Sequence, residues 1–475
     1  MNNTDLCYTP AQELAKLLLA REISPVELTT AFLERIAQVN PKINAYCTLT
    51  PELAMESARA AEALFMQGEV PAEAKLLGLP VSVKDLIITK GIRTTRGSLL
   101  YKDHVPAEDA PAVERVKAAG AVILGKTNTP EFGWTGSTNN RIFGPTFNPW
   151  DLSKTAGGSS GGASAEVAAG LGPLALGTDG GGSVRIPASY TGIFALKPSL
   201  GRVPLYPASA LGDLSHIGPM TRTVGDAALL LEVIAGPDER DRYSLPAETH
   251  DYVAACQAGA RDGLKGLRVA WSADFGYVPV EPEVAALTAR AAQRFAELGA
   301  EVEAVDPGFD SPAEIIDMLF YGGLLASLAP NLPTTAALLD PGLLAQIERG
   351  QRTFEAIAYG NALLQRQAFW DIVRRFFTKY DLLLTPTMPQ TAFDVTIDFP
   401  TELMGKSTAG LGWTPFTIPF NLTGQPAASV PCGFTHAGLP VGLQIVGRRW
   451  DDRGVLKAAA AFEALQPWAN YKPNL

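Results

Sequence analysis

The chain has 475 residues, 47% of them hydrophobic and 19% charged, so it can bury a large core and reads as a globular protein. Its 39 basic against 49 acidic residues give a formal charge of -10, which speaks against a nucleic-acid surface or an anionic membrane as partner. Four cysteines, Cys7, Cys47, Cys256 and Cys432, show neither metal-ligand nor disulfide spacing, so no bound metal and a reducing, cytoplasmic setting are expected. The first residues lack the basic start and continuous apolar core of an export signal.

In chain order, Thr9-Pro10-Ala11-Gln12 and Ser24-Pro25-Val26-Glu27 each read as a capping box with proline at the first helical position. Apolar residues then recur at helical spacing through Leu14, Leu17, Leu18 and through Leu28, Phe32, Ile36. Short apolar runs at 79–83, 121–124, 267–271, 382–384, 427–430 and 441–446 predict buried strands. Helical patterns at 110–119 and 282–298 lie between some of them, so the expected class is α/β with a largely covered sheet. No internal repeat or low-complexity linker divides the chain, which favours one domain spanning 1–475.

Two generic motifs occur in misleading contexts. Gly120 to Thr127 matches the phosphate-loop pattern, but its variable positions are Ala-Val-Ile-Leu, a strand run rather than a turn, so a buried strand is preferred. Gly157-Gly158-Ser159-Ser160-Gly161 satisfies the nucleophile-elbow pattern, yet turn and loop residues precede it where a strand is required. That elbow also needs a later acid and histidine. His216, His250 and His436 follow; Asp213 and Ser215 beside His216 keep a histidine-based triad open.

The densest chemistry lies between Gly157 and Pro187. Two glycine-flanked serines occur there, in Gly157-Gly158-Ser159-Ser160-Gly161-Gly162 and in Gly177-Thr178-Asp179-Gly180-Gly181-Gly182-Ser183. Glycines leave a serine open to a substrate carbonyl and let successive backbone N–H groups converge on one point. A serine nucleophile needs a base, and Lys84, at the end of an apolar β-branched run, is the candidate. Burial disfavours the ammonium form, and a neutral lysine accepts a proton. The competing reading is an ion pair with Asp85, although successive strand residues point to opposite faces.

Val83-Lys84-Asp85, the Gly-Gly-Ser-Ser-Gly-Gly loop and Gly177 to Pro187, in that order, resemble the amidase signature family. The similarity extends through Gly125 to Asn128, Gly192-Ile193, Leu196 to Pro198, Pro219 to Arg222, Asn421 to Gly424 and Gly442 to Gly447. The resemblance implies a single domain with a central mixed β-sheet covered by helices on both faces, its main motifs within 79–225. It also implies a catalytic trio: Ser183 as nucleophile, Ser159 as a bridging serine preceded by a cis peptide, and Lys84 as base. The N–H groups of Gly180, Gly181, Gly182 and Ser183 would then form the oxyanion hole, with no cofactor or metal. Ser160 rivals Ser159, and only the 24-residue offset from Ser183 and the family register favour Ser159. Asp179 and Arg185 are read as structural supports of the glycine loop, with Thr178 and Ser160 joining that network.

The family register places Phe132, Gly133 and Trp134 against substrate; the alternative is that the aromatic rings are core. Met318 to Leu339 carries no charge and is long enough to span a bilayer, but Gly322-Gly323, Pro330, Asn331 and Pro333 interrupt it. It is expected to form a lid or insertion, within 311–345, over an apolar acyl or aryl pocket with Trp134, Trp413 and Phe416, buried core being the plain alternative. The expected activity is hydrolysis of a hydrophobic amide, with esters and carbamates presenting a similar carbonyl, by a monomer or homodimer without an integral membrane segment. The alternatives are a glutaminase component of the tRNA-dependent amidotransferase, a histidine-dependent esterase, or a non-enzymatic binding scaffold. The glutaminase would carry an aspartate where this chain has Trp413-Thr414-Pro415-Phe416, and a scaffold has no need of Lys84, Ser159 and Ser183 together.

Overall fold

All six apolar runs become strands of one eleven-stranded sheet in the computed structural model, which describes residues 3–249 and 251–475. In chain order the strands are β1 (Tyr46–Leu49), β2 (Pro80–Lys84), β3 (Val122–Thr127), β4 (Leu174–Asp179), β5 (Phe194–Lys197) and β6 (His216–Thr221). The second half supplies β7 (Arg268–Trp271), β8 (Glu301–Ala304), β9 (Leu382–Pro386), β10 (Ala427–Phe434) and β11 (Pro440–Gly447). Their order across the sheet is β1-β3-β2-β4-β6-β5-β10-β11-β9-β7-β8. The group β3, β2, β4 is parallel, as is β9, β7, β8, while the strands between are antiparallel, so the sheet is mixed. Every residue of β2 and β3 is buried, which is why these strands read as nearly unbroken apolar runs.

Helices flank the sheet, among them Gly161–Ala168, Arg185–Thr191, Val224–Ile234, Pro282–Glu297 and Asp452–Leu465. The Ser24 capping box forms as the sequence predicts: Glu27 N–H donates to Ser24 Oγ at 3.1 Å, and Ser24 N–H donates to Glu27 Oε2 at 2.8 Å. The one at Thr9 does not. Its helix, Ala11–Leu19, is capped from afar by buried Asp226, which accepts the N–H groups of Ala11 and Gln12 at 2.9 Å each. A carboxylate at a helix start is favourable wherever the chain brings it from.

The strands not foreseen are short or carry turn residues. Pro219 sits opposite Leu176 in the β4–β6 pairing, although a Gly-Pro pair ordinarily favours a turn. The uncharged stretch after Asp317 also departs from expectation, because Gly322 and Gly323 do not interrupt it. Helix Ala313–Leu328 runs straight through them, and the chain breaks into short turns only around Pro330 and Pro333. Gly323 is required there by close approach, since a Cβ would lie 2.1 Å from the Ala210 carbonyl oxygen. Ala313–Leu338 is long and apolar enough by composition to cross a membrane. Its residues Ile316, Leu319, Phe320, Tyr321 and Leu324 are buried against the rest of the protein.

Behind β2, Glu166 is fully buried, with Tyr46 Oη donating to it at 2.9 Å and Ser82 Oγ donating to its other oxygen. Burial pushes its carboxyl up to about 8, against the opposing pull of those two hydrogen bonds. A raised carboxyl favours the fold below its unfolded value of 4.5 and loses that contribution as pH climbs through about 8. Glu166→Gln is therefore expected to flatten the decline of unfolding free energy between pH 5.5 and 7.5, by up to about 1.4 kcal/mol per pH unit. Urea denaturation at the two pH values checks this; an unchanged slope contradicts it.

Candidate active site

The parallel strands β2 and β4 end side by side, and their last residues carry the polar groups. Lys84 closes β2 and is completely buried, its Nζ 2.7 Å from Ser159 Oγ, 2.9 Å from Ser160 Oγ and 2.9 Å from Thr178 Oγ1. Burial drives its ammonium well below the ordinary lysine value, and the charge of Asp179 opposes this without reversing it. Asp85 makes no ion pair with Lys84. It turns to the opposite side, accepting the Thr95 N–H at 2.9 Å, and faces the charge of Lys126. Lys126, the lysine of the phosphate-loop pattern, lies within β3 and donates to the Ile87 carbonyl and to Thr89 and Thr94 Oγ1 at 2.9 and 3.0 Å. The pattern therefore describes a buried strand.

The two adjacent serines are used differently. Ser160 Oγ receives the Thr178 N–H at 3.2 Å and donates to the Thr178 carbonyl at 3.1 Å, so its proton is committed to the backbone. Ser159 opens onto a cavity that Ser183 also lines, and the Gly158–Ser159 peptide is cis. Both serines sit before helices, Ser159 ahead of Gly161–Ala168 and Ser183 ahead of Arg185–Thr191.

The loop carrying Ser183 is held from several directions. Asp179 Oδ1 accepts the Gly182 N–H at 2.7 Å and Oδ2 accepts the Val184 N–H at 3.1 Å. Thr417 Oγ1 donates to the Gly181 carbonyl at 2.7 Å, and the Ser160 N–H donates to the Ser183 carbonyl at 3.1 Å. Arg185, buried with Asp179, grips both carboxylate oxygens and extends to Gln444 Oε1 at 2.8 Å and Asn421 Oδ1 at 2.6 Å. Burial alone would raise the Asp179 carboxyl, but the Arg185 charge and the hydrogen bonds from Arg185 and Asn421 outweigh it and hold it below the usual carboxylate range. This corrects one expectation: the Gly182 N–H is occupied by Asp179. Among the described residues, the N–H groups of Gly180, Gly181 and Ser183 meet no protein acceptor.

The cavity has a volume of about 600 Å³. Phe132 and Gly133 line it, and a Cβ on Gly133 would come within 3.2 Å of Ser159 Oγ. Trp134, Trp413 and Phe416 do not line it. All three are buried in apolar clusters, Trp413 edge-on to Phe393 and Phe416 against Phe275. Large rings beside a motif are drawn to the core by the area they bury. The walls instead come from Leu86, Leu100 and Tyr101, from the 205–211 loop, and from Phe320, Leu324 and Leu328 of helix Ala313–Leu328. These residues carried no motif; only Phe320, Leu324 and Leu328 stood out, through their uncharged surroundings.

No described histidine partners either serine. His216 is buried with Nδ1 facing the carbonyls of Leu214 and Asp179 and Nε2 3.3 Å from Lys197 Nζ. His436 is exposed and pairs with Glu283. His104 packs on Tyr101, and His250 lies outside the described residues. Among the described residues no group of three or more His, Cys, Asp or Glu is placed to hold a metal ion.

Asp179→Asn would leave Arg185 buried without its counter-charge, and such a loss costs about 3–5 kcal/mol. Chemical denaturation should show a loss of that size. One below about 1 kcal/mol would mean that Gln444 and Asn421 suffice to hold the guanidinium.

The amidase family model matches residues 27–456. The acylamidase of Rhodococcus erythropolis is 39% identical over 485 residues, taking in 100% of this chain and 98% of that protein. The A component of the glutamyl-tRNA(Gln) amidotransferase of Moorella thermoacetica is 40% identical, with 99% of each chain covered. The crystal structure of a bacterial aryl acylamidase of the amidase signature enzymes matches with a TM-score of 0.90 and 34% identity, over 97% of both chains. A match that spans the sheet, both serine loops and Lys84 makes this chain a member of the amidase signature family of amide-hydrolysing enzymes.

Proposed function

We propose that the protein hydrolyses a hydrophobic acyl or aryl amide through an acyl-enzyme on Ser183, with Ser159 and Lys84 relaying the proton. The observation that carries this reading is the contact of buried Lys84 Nζ with Ser159 Oγ at the wall of a cavity rich in aliphatic and aromatic side chains. Neutral Nζ has one lone pair. Of the two adjacent serines, Ser160 has its proton committed to the Thr178 carbonyl, which leaves Ser159, at 2.7 Å the nearest of the three hydroxyls to Nζ, to give its proton to Lys84 while taking one from Ser183. Ser183 Oγ then adds to the carbonyl carbon, and the N–H groups of Gly180, Gly181 and Ser183 receive the developing oxyanion. Each such donor is worth about 3 kcal/mol. The proton returns through Ser159 to the leaving nitrogen as the C–N bond breaks. Water adds to the acyl-enzyme by the same relay, releasing the acid.

The glutaminase reading is less well supported. Among the described residues no Asp or Glu lines the cavity, so nothing there matches the ammonium of a free amino acid. The segment from Trp413 to Phe416, where an acid would be needed, is buried in the core. Phe320, Leu324 and Leu328 of helix Ala313–Leu328 form an apolar part of the wall, which supports an apolar substrate, while the turns after it bring Asn331, Thr334 and Thr335.

Release of para-nitroaniline from anilides of increasing acyl length tests this reading, each buried methylene improving kcat/KM by about 0.8 kcal/mol, near fourfold. Ser183→Ala and Lys84→Met should each lower turnover by roughly 10⁴–10⁶-fold. Lys84→Met should also raise the thermal midpoint at neutral pH. A lysine whose folded value is lowered binds its proton only in the unfolded chain between the two values, so it costs stability there, less as pH rises. In the wild type, kcat/KM should fall as pH drops through the lowered Lys84 value. Full activity in Lys84→Met would overturn the relay.

A further inference from the structure

We infer that Arg96 forms an anion subsite in this cavity, so that the preferred amide carries a carboxylate away from the scissile carbonyl. This deepens the reading above and rests on it for the reaction. Arg96 is the one cationic residue among the described residues that line the cavity, and no carboxylate lines it. Its Nε is buried without a hydrogen-bond partner. The buried arginines elsewhere are engaged: Arg185 by Asp179 and Asn421, Arg202 by Asp452, Arg222 by the Ala469 carbonyl. The Arg96 guanidinium only stacks, with Cζ 4.8 Å from the centre of the Tyr101 ring, itself edge-on to Phe132.

The turn that carries Arg96 is built to hold it. Asp85 accepts the Thr95 N–H, the Asp85 carbonyl accepts the Arg96 N–H at 3.2 Å, and the Arg96 carbonyl accepts the Phe132 N–H at 2.9 Å. Arg96 has φ of 56°, a left-handed conformation that a side-chain-bearing residue adopts at a cost. The backbone is thereby tied both to the residue after Lys84 and to the substrate-facing loop. A guanidinium stacked on one ring, with no acceptor among the described residues, carries the planar paired donors that match a carboxylate.

Matched substrates test this: para-nitroanilides of a ω-carboxy acid and of the equally long acid ending in methyl, and amides whose amine is 4-aminobenzoate or 4-methylaniline. In the wild type one carboxylated member should exceed its methyl counterpart by 10–100-fold in kcat/KM, with a preference that shrinks as salt is raised. Arg96→Met should reduce that ratio to near or below one, and Arg96→Lys should keep part of it. Calorimetry with Ser183→Ala and a dicarboxylate such as glutarate gives a readout independent of turnover and of whether Arg96→Met folds; tighter binding of glutarate than of valeramide supports the subsite. Equal rates within both pairs, or no difference in binding, overturns it even when the neutral anilides are hydrolysed. Loss of all anilide hydrolysis alongside intact glutarate binding would instead refute the amide reading.

Discussion

The arrangement depends on one buried ion pair. Asp179 ends strand β4 and Arg185 begins the helix after the Ser183 loop, so their bond closes that loop on itself. Neither charge sees solvent, and taking both out of water is costly unless every remaining donor and acceptor is satisfied. The satisfaction comes from distant parts of the chain: Gly182 and Val184 within the loop, Thr417 and Asn421 beside it, Gln444 from β11. A loop of three glycines would lose much entropy on being ordered. Here the ordering is supplied by charge-assisted hydrogen bonds, which leave the N–H groups of Gly180, Gly181 and Ser183 without a protein acceptor among the described residues.

Buried lysines show how the same residue type takes different roles. Lys126 donates to a carbonyl and two threonines that hold the 87–94 segment; burial lowers its ammonium to about 8, with the Asp85 charge opposing that fall. Lys197 meets two carbonyls and His216, which lies beside the Ser183 loop through the Asp179 carbonyl. Lys84 meets only hydroxyls, with Asp179 the opposing charge and already committed to Arg185. Hydroxyls accept from an ammonium and equally donate to an amine. A lysine so surrounded can change protonation state without leaving a buried group unpaired.

Between this polar floor and the cavity walls there is a division of labour. The floor comes from strand ends and helix starts of the sheet, elements whose backbone positions are fixed by pairing. The walls come from loops and from helix Ala313–Leu328, whose buried face belongs to a separate apolar cluster. Walls of that kind are free to vary while the floor stays the same, which suits a scaffold shared by an acylamidase and a component of an amidotransferase.

The strands buried on both faces were legible in the chain, because a continuous apolar run admits few other fates, as was the capping box at Ser24, because that motif is closed within four residues. The sequence also singled out Ser159, Ser183 and Lys84 as candidates, since glycine-flanked serines and a lysine ending an apolar strand are local patterns. What it left open were outcomes of contact between distant segments. Whether Ser159 or Ser160 faces the cavity turned on a hydrogen bond from Ser160 to Thr178, and the Gly182 N–H was withdrawn by a carboxylate three residues earlier once the loop curled back. Trp134, Trp413 and Phe416 went to the core, and Leu86, Tyr101 and Leu211 to the pocket, because a side chain's surroundings are decided by which elements pack together. Local pattern specifies chemistry that neighbours in the chain can complete; the tertiary structure alone decides which of those groups share a cavity and which are spent on holding it open.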